Sequence, residues 1–313
     1  MKVLDGVMEE GTAGDPISGL KWTHKSLRKI QTALDNEGYG ISPPTISRLL
    51  QQGDYSLQVN HKRIAGKQFP GRDRQFRYIV RWRQTYLRRK WPIISVDAKK
   101  REQIGNFKNS GRAWRKEQRE VNMYDFPSLA QGKAIPYGIY DIGHNQGFVS
   151  VGTSYNTPEF AVAAIRTWWL TIGKLLYLDH KHLLIQADGG GSNSYRSRVW
   201  KVGLQHLADE FGLIITVTHY PTGTSKWNPI EHRMFNLISA NWAGQPLDSY
   251  ETMLNHIQTT TSTTGFCCQA QLDTTEYELN KKVSNKYFDG LCLRPHKRFP
   301  KLNYTIYPRT FVV

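Results

Sequence analysis

Three acidic residues stand where a fold could gather them. Asp188 follows the apolar run Leu183, Leu184 and Ile185 in the stretch LLIQADGGGSN, where a buried strand ends and three glycines begin. Gly189, Gly190 and Gly191 have no side chains, so the backbone of another molecule can approach that carboxylate, and each tolerates positive φ. Asp97 closes a second β-branched run, Ile93 to Val96. Glu231 lies in TSKWNPIEHR, where Asn228 as N-cap, Pro229 at N1 and Glu231 at N3 also spell a capping box. The acids are 91 and 43 residues apart, so only the fold can bring them together. Three converging carboxylates repel one another unless cations neutralise them, and oxygen-only ligands suit Mg²⁺ or Mn²⁺. Two such ions roughly 3.5–4 Å apart activate an attacking hydroxyl and steady the leaving oxygen of a phosphodiester. The chemistry indicated is phosphoryl transfer without a covalent enzyme intermediate. Plainer roles stay open: Asp188 or Ser192 as a helix cap, and Asp141, Asp125 and Asp179 as competing acids, with Asp141 the first substitute.

The elements around these acids read as a mixed sheet with helices on its faces. After the strand of Asp97 and a polar, Gly-rich segment from Lys99 to Gly132, Tyr137–Ile142 and Phe148–Thr153 form a hairpin about His144-Asn145-Gln146-Gly147. A helix opens at Thr157-Pro158, the strand of Asp188 follows, then a helix from Tyr195 to Glu210, a strand Ile214–Val217 and a helix from Pro229. This order is α/β and matches the ribonuclease H-like fold, in which the first and fourth strands lie side by side and would bring Asp97 beside Asp188.

Ahead of this region the chain is strongly basic. Overall it carries 42 Lys and Arg against 26 Asp and Glu, a net charge of +16. Residues 21–91 hold 16 basic and 4 acidic side chains, more than solubility needs. The balance favours a polyanion, most simply DNA. Within this segment Leu27, Ile30 and Leu34 mark one helix, and Ser42, Pro43, Ile46, Leu49 and Leu50 a second, joined through Gly38-Tyr39-Gly40. The pattern is that of a helix-turn-helix, whose second helix would turn Thr45, Ser47 and Arg48 toward DNA. Lys62 and Arg63 lie in the basic linker that follows, and a helix over 73–90 points Phe76, Ile79, Val80 and Tyr86 inward. Lys226 and Trp227, just ahead of Glu231, could meet a phosphate and an unstacked base, although core packing explains Trp227 equally well. His219 and His232 suit backbone hydrogen bonds better than catalysis.

The organisation expected is a poorly ordered stretch 1–20, a DNA-binding segment 21–90, a catalytic domain 91–265 and a C-terminal extension 266–313. Cys267, Cys268 and Cys292 form no CxxC pair and no zinc spacing. No apolar run approaches a membrane span and MKVLDGVMEE is no signal peptide, so a cytoplasmic, nucleoid-associated protein is expected.

Five runs in order carry a family likeness: Ser95–Lys100 (SVDAKK), Ile104–Asn109 (IGNFKN), Ala134–Gly138 (AIPYG), Ala187–Asn193 (ADGGGSN) and Gly223–Arg233 (GTSKWNPIEHR). They resemble the ISAzo-type insertion-sequence transposases, the Rhodopirellula transposase DDE family, over Gly14 to Ile306. The resemblance implies a ribonuclease H-like domain, divalent metal, cutting at the inverted-repeat ends of an element and joining to target DNA by a homo-oligomer. It maps the acid triad onto Asp97, Asp188 and Glu231. Ala98 stands where the family tends to carry Thr, and the family's most N-terminal DNA-binding region is expected to be missing before Met1. Two other readings stay open: a non-catalytic DNA-binding remnant or regulator, and a nuclease on the same fold.

Overall fold

The computed structural model describes residues 3–4, 7, 12–14, 21–23, 26–56, 70–224 and 227–309. The chain divides into two compact units, Met1–Ile64 and Ala65–Val313. Among the described residues no helix is long and apolar enough to cross a membrane.

In the first unit the two expected helices form. Ser26 Oγ accepts from the Lys29 N–H and starts α1, Leu27–Asn36. Gly38, at φ +86°, turns the chain out of it. Pro43 opens α2, Pro43–Gln52. Ile30, Leu34 and Ile46 are buried against each other and join the pair, while Leu27, expected on the same face, is exposed. Most of the stretch 1–20, expected to be poorly ordered, lies outside the described residues, but Thr12–Gly14 pairs antiparallel with Lys21–Thr23.

The second unit is built on one nine-stranded sheet. In chain order its strands are β1 Ile93–Ala98, β2 Glu102–Ile104, β3 Gly132–Asp141, β4 Gln146–Gly152, β5 His182–Ala187, β6 Ile214–His219, β7 Cys267–Asp273, β8 Leu293–Pro295 and β9 Asn303–Ile306. They lie in the order β8-β9-β6-β5-β1-β3-β4-β7, with β2 paired to β3. β1, β3 and β4 form an antiparallel meander, while β5 and β6 run parallel to β1. The first strand thus lies beside the one that ends at Asp188, the ribonuclease H-like arrangement. The central strands are buried on both faces, which is why they read as continuous apolar runs.

Each face has its own core. On one side β1, β3 and β5 pack against Phe160, Ile165 and Trp168 of the helix Pro158–Trp168 and Trp200, Leu204 and Leu207 of the helix Arg198–Phe211. Thr157 and Ser197 cap these two helices. On the other side Met234, Phe235, Ile238, Met253 and Ile257 cover Tyr140, Val149 and Val151.

Two expected boundaries change. The helix α3, Arg72–Arg89, belongs with the sheet, and the division falls before it, between residues 64 and 65 rather than near 90. The reason is polar. Gln75, fully buried, donates from Nε2 to the His219 carbonyl at 2.9 Å and to Asn303 Oδ1 at 2.7 Å, and Asn303 Nδ2 donates back at 2.8 Å. Arg83 donates to Gln186 Oε1 and to the Tyr220 hydroxyl. Gln75, Ile79 and Tyr86 therefore form the inward side, while Val80 is exposed. The C-terminal residues are likewise not an appendage: β7 pairs with β4 and β9 with β6.

Candidate active site

Strand register sets two of the acids. In the parallel ladder of β1 and β5 the last pair is Val96 with Ala187, so Asp97 and Asp188 are the next residues on neighbouring strands, about 5 Å apart along the sheet. Asp97 is 9% exposed, and its Oδ1 accepts from the Ala98 N–H at 2.8 Å. Burial, then the Asp188 and Glu231 carboxylates, push Asp97 up to about 8. Burial and Glu231 also raise Asp188, against the opposing pull of the Gly190 N–H and the Asn193 side chain. Asp188 Oδ1 is buried with no hydrogen-bond partner among the described residues.

The third acid arrives on a separate element. Glu231 begins a π-helical turn, Glu231–Phe235, continued by the helix Asn236–Asn241. Its segment is tied to β1 by two side chains. The Ser95 hydroxyl donates to Asn228 Oδ1 and accepts from the Ile230 N–H, while Asn228 Nδ2 donates to the Val96 carbonyl at 3.2 Å. Asn228 thus reaches into the sheet beside Asp97, and Ser95, from β1, meets the Ile230 amide, which lies outside the pair of amides that a capping box would satisfy. The three acids share one electrostatic neighbourhood. Among the described residues no three His, Cys, Asp or Glu side chains are drawn together closely enough to form a ready-made metal cage.

The loop after Asp188 is fastened from below. The Tyr137 hydroxyl donates to Asn193 Oδ1 at 2.6 Å, and His219 Nε2 lies 2.9 Å from the Asn193 carbonyl. Burial lowers His219 to about 4, so it stands neutral beneath the loop. Of the three glycines only Gly191 uses positive φ, at +60°. Gly138 pairs with Asp97 across β1 and β3, and any Cβ there would run into Met234 and Phe235.

Asp141 does not join this group. It pairs with Ile94, three residues along β3 from Gly138, or about 10 Å. Its carboxylate accepts from the Tyr177 hydroxyl and from the Gly143 and His144 amides, which closes the hairpin turn. Ser95, Tyr137, Gly138 and Asn193 are the site residues that the sequence reading left unassigned. Ser95 carried a signal, being the one polar residue inside an apolar strand.

The DNA-facing candidates are distributed differently. Arg48 is exposed, Ser47 is half-buried, and the Thr45 hydroxyl is 3.0 Å from Ser42 Oγ at the start of α2. Lys62, Arg63 and Lys226 lie outside the described residues. Trp227 is 55% exposed.

Among curated proteins no relative is found. Solved structures with some likeness include the Mos1 transposase paired-end complex with left transposon end, with 12% identity, 80% of this chain and 67% of that chain covered and a TM-score of 0.43. A pre-cleavage Mos1 transpososome has 13% identity over the same shares, also at 0.43. The family model described as the Rhodopirellula transposase DDE domain matches residues 3–308, nearly the whole chain. The chain therefore belongs to the Rhodopirellula transposase DDE family and is a transposase.

Proposed function

We propose that Asp97, Asp188 and Glu231 are the catalytic carboxylates of this transposase, cutting DNA at the ends of its element and transferring the cut strand into target DNA. The observation that carries this reading is the buried, mutually repelling acid group at the ends of β1 and β5. A fold gains nothing in stability from a carboxylate pushed up to about 8 by burial and two like neighbours. Buried charge of one sign calls for an opposite charge. The unpartnered Asp188 Oδ1 offers an oxygen ligand, and an all-oxygen set fits Mg²⁺ or Mn²⁺. Two such ions, held by Asp97, Asp188 and Glu231, would supply Lewis-acid activation of the attacking hydroxyl and of the leaving oxygen.

The chain's own residues supply position. β1 and β5 fix Asp97 and Asp188 relative to each other, and Ser95 and Asn228 hold Glu231 against β1. The exposed Arg77, Arg81 and Arg88 of α3 form a basic ridge suited to phosphates. The helical pair α1 and α2, with Thr45, Ser47 and Arg48, and the basic residues Lys62, Arg63 and Lys226 are proposed to hold double-stranded DNA. A homo-oligomer would bring two element ends together.

The test is metal-dependent cutting and joining of DNA carrying the element's ends, comparing wild type with Glu231→Gln. Glutamine keeps the shape of the side chain but not its charge. We expect wild type to give joined products, and the variant to fold and bind DNA without cutting. Cutting retained by the variant would overturn the assignment of Glu231. Binding without cutting by both proteins would favour a DNA-binding remnant.

A further inference from the structure

A groove opens between the start of α3 and the loop that leads to Glu231. It has a volume of about 810 Å³, within the range of small-molecule sites. Arg72, Arg74 and Arg77 line it, with Asp73 as the opposing charge, and Phe76 and Trp227 form its aromatic wall. The Phe76 ring meets Trp227 edge to face at 6.2 Å and Tyr220 at 6.0 Å, while the Arg72 guanidinium lies over Phe76 at 5.9 Å. Phe76 backs Trp227 from within, and Trp227 as a residue is more than half exposed.

The groove adjoins the acids through the chain itself. Trp227 immediately precedes Asn228, whose side chain holds the carbonyl of Val96, the residue before Asp97. Tyr220, behind Phe76, donates its N–H to the Ala187 carbonyl, one residue from Asp188. An exposed tryptophan, three guanidinium groups and a direct link through Asn228 and Tyr220 to the strands that carry Asp97 and Asp188 match a nucleotide that has left the stack. Aromatic faces take bases of any sequence, and arginines take the flanking phosphates. A duplex presents its bases edge-on within the grooves, so the indole face would remain unused by fully paired DNA.

We propose that this groove binds one unpaired nucleotide of the strand to be cut, the base on Trp227 and the backbone on Arg74 and Arg77. The proposal rests on the reading of this chain as a DNA-cutting enzyme, but its test needs no cutting. The affinities of the full chain for an oligo(dT) 20-mer and for a 20-base-pair duplex are measured in EDTA. Trp227→Ala should weaken oligo(dT) binding about ten-fold, the ratio that roughly 1.4 kcal/mol of base stacking gives, and leave duplex binding within about two-fold. Trp227→Leu keeps apolar volume but no flat ring and should lose as much, whereas Trp227→Phe should stay within about three-fold of wild type. Arg74→Ala should weaken both DNAs and lower the salt slope by about 0.7–0.9.

Oligo(dT) affinity unchanged in Trp227→Ala, or equal losses for both DNAs, would overturn the proposal. So would a folded Trp227→Leu that binds like wild type, because Trp227 would then be packing. If the oligo(dT) effect holds while wild type never cuts, the catalytic reading fails and the groove stands. If wild type cuts and oligo(dT) is insensitive to Trp227, the reverse holds.

Discussion

The helix carrying Glu231 can be displaced without touching any acid, through Gly138. A Cβ at Gly138 would stand 2.6 Å from Phe235 Cε1, 2.8 Å from Phe235 Cζ and against Met234 Cε. Carbon atoms rest about 3.5–4 Å apart, so the alanine variant must open roughly 1 Å between β3 and the Glu231–Phe235 turn. The thioether of Met234 can bend aside. The Phe235 ring is buried and cannot, so the turn itself must retreat. Overpacking of this kind costs about 1–3 kcal/mol, and removing glycine's freedom in the unfolded chain returns about 0.4–1 kcal/mol. Gly138→Ala should therefore melt only a few degrees lower than wild type. Its effect on cutting should be far larger, because a misplacement of about 1 Å in a reacting group costs on the order of 100-fold. The assay is single-turnover, Mg²⁺-dependent cutting of labelled element-end DNA, beside thermal melting and DNA affinity. We expect unchanged affinity, a small fall in melting temperature, a rate about 100-fold lower and partial recovery when Phe235→Leu is added. A folded Gly138→Ala that cuts within about three-fold of wild type would refute either the displacement argued for the turn or the role given to Glu231.

The acid group should also show in stability. Asp97 is raised to about 8 in the fold against 3.8 when free, so the fold favours its protonated form. That contribution is fully present below about pH 4 and is lost as pH rises through about 8. In EDTA, Asp97→Asn should match wild type near pH 4 and exceed it by several kcal/mol at pH 8, and Mg²⁺ should raise the melting temperature of wild type alone. Parallel melting curves across that range would refute it. Gln75→Leu removes the reciprocal amide pair and leaves Asn303 and the His219 carbonyl short of partners. It should cost about 1–3 kcal/mol in urea unfolding, because an unsatisfied buried polar group costs about that much. An unchanged midpoint would mean that α3 is held by apolar contacts alone.

Much of this site is legible in the sequence because its strands are short, apolar and each ended by an acid. Ile93 to Val96 and Leu183 to Ile185 announce buried strands, and the order of elements permits them to lie side by side once it is matched to the ribonuclease H-like fold. What composition hides is where a charged helix packs. α3 carries eight Arg and Lys counting its C-cap Lys90, and that surface outweighs an inner side made of one glutamine, one isoleucine and one tyrosine. A buried Gln reads as a surface residue until Asn303, 228 positions away, supplies its partner. Glu231 was legible as an acid at a helix start. Its fastening was not, because the hydrogen bonds among Ser95, Asn228 and Ile230 span more than 130 residues.

These long-range ties explain how the fold tolerates its acids. Asp97 and Asp188 cannot separate without unzipping β1 from β5, since both follow directly from the last ladder pair. The loop beyond Asp188 is held by Tyr137 from β3 and His219 from β6, so repulsion cannot swing that carboxylate away on its glycines. Glu231 has no strand to hold it and depends on Ser95 and Asn228, which bond to the same strand that carries Asp97. The acids are therefore anchored to one frame by hydrogen bonds between neutral groups. The cost of bringing the carboxylates together is met in folding rather than at the moment of reaction, which is the condition for a preorganised electrostatic site.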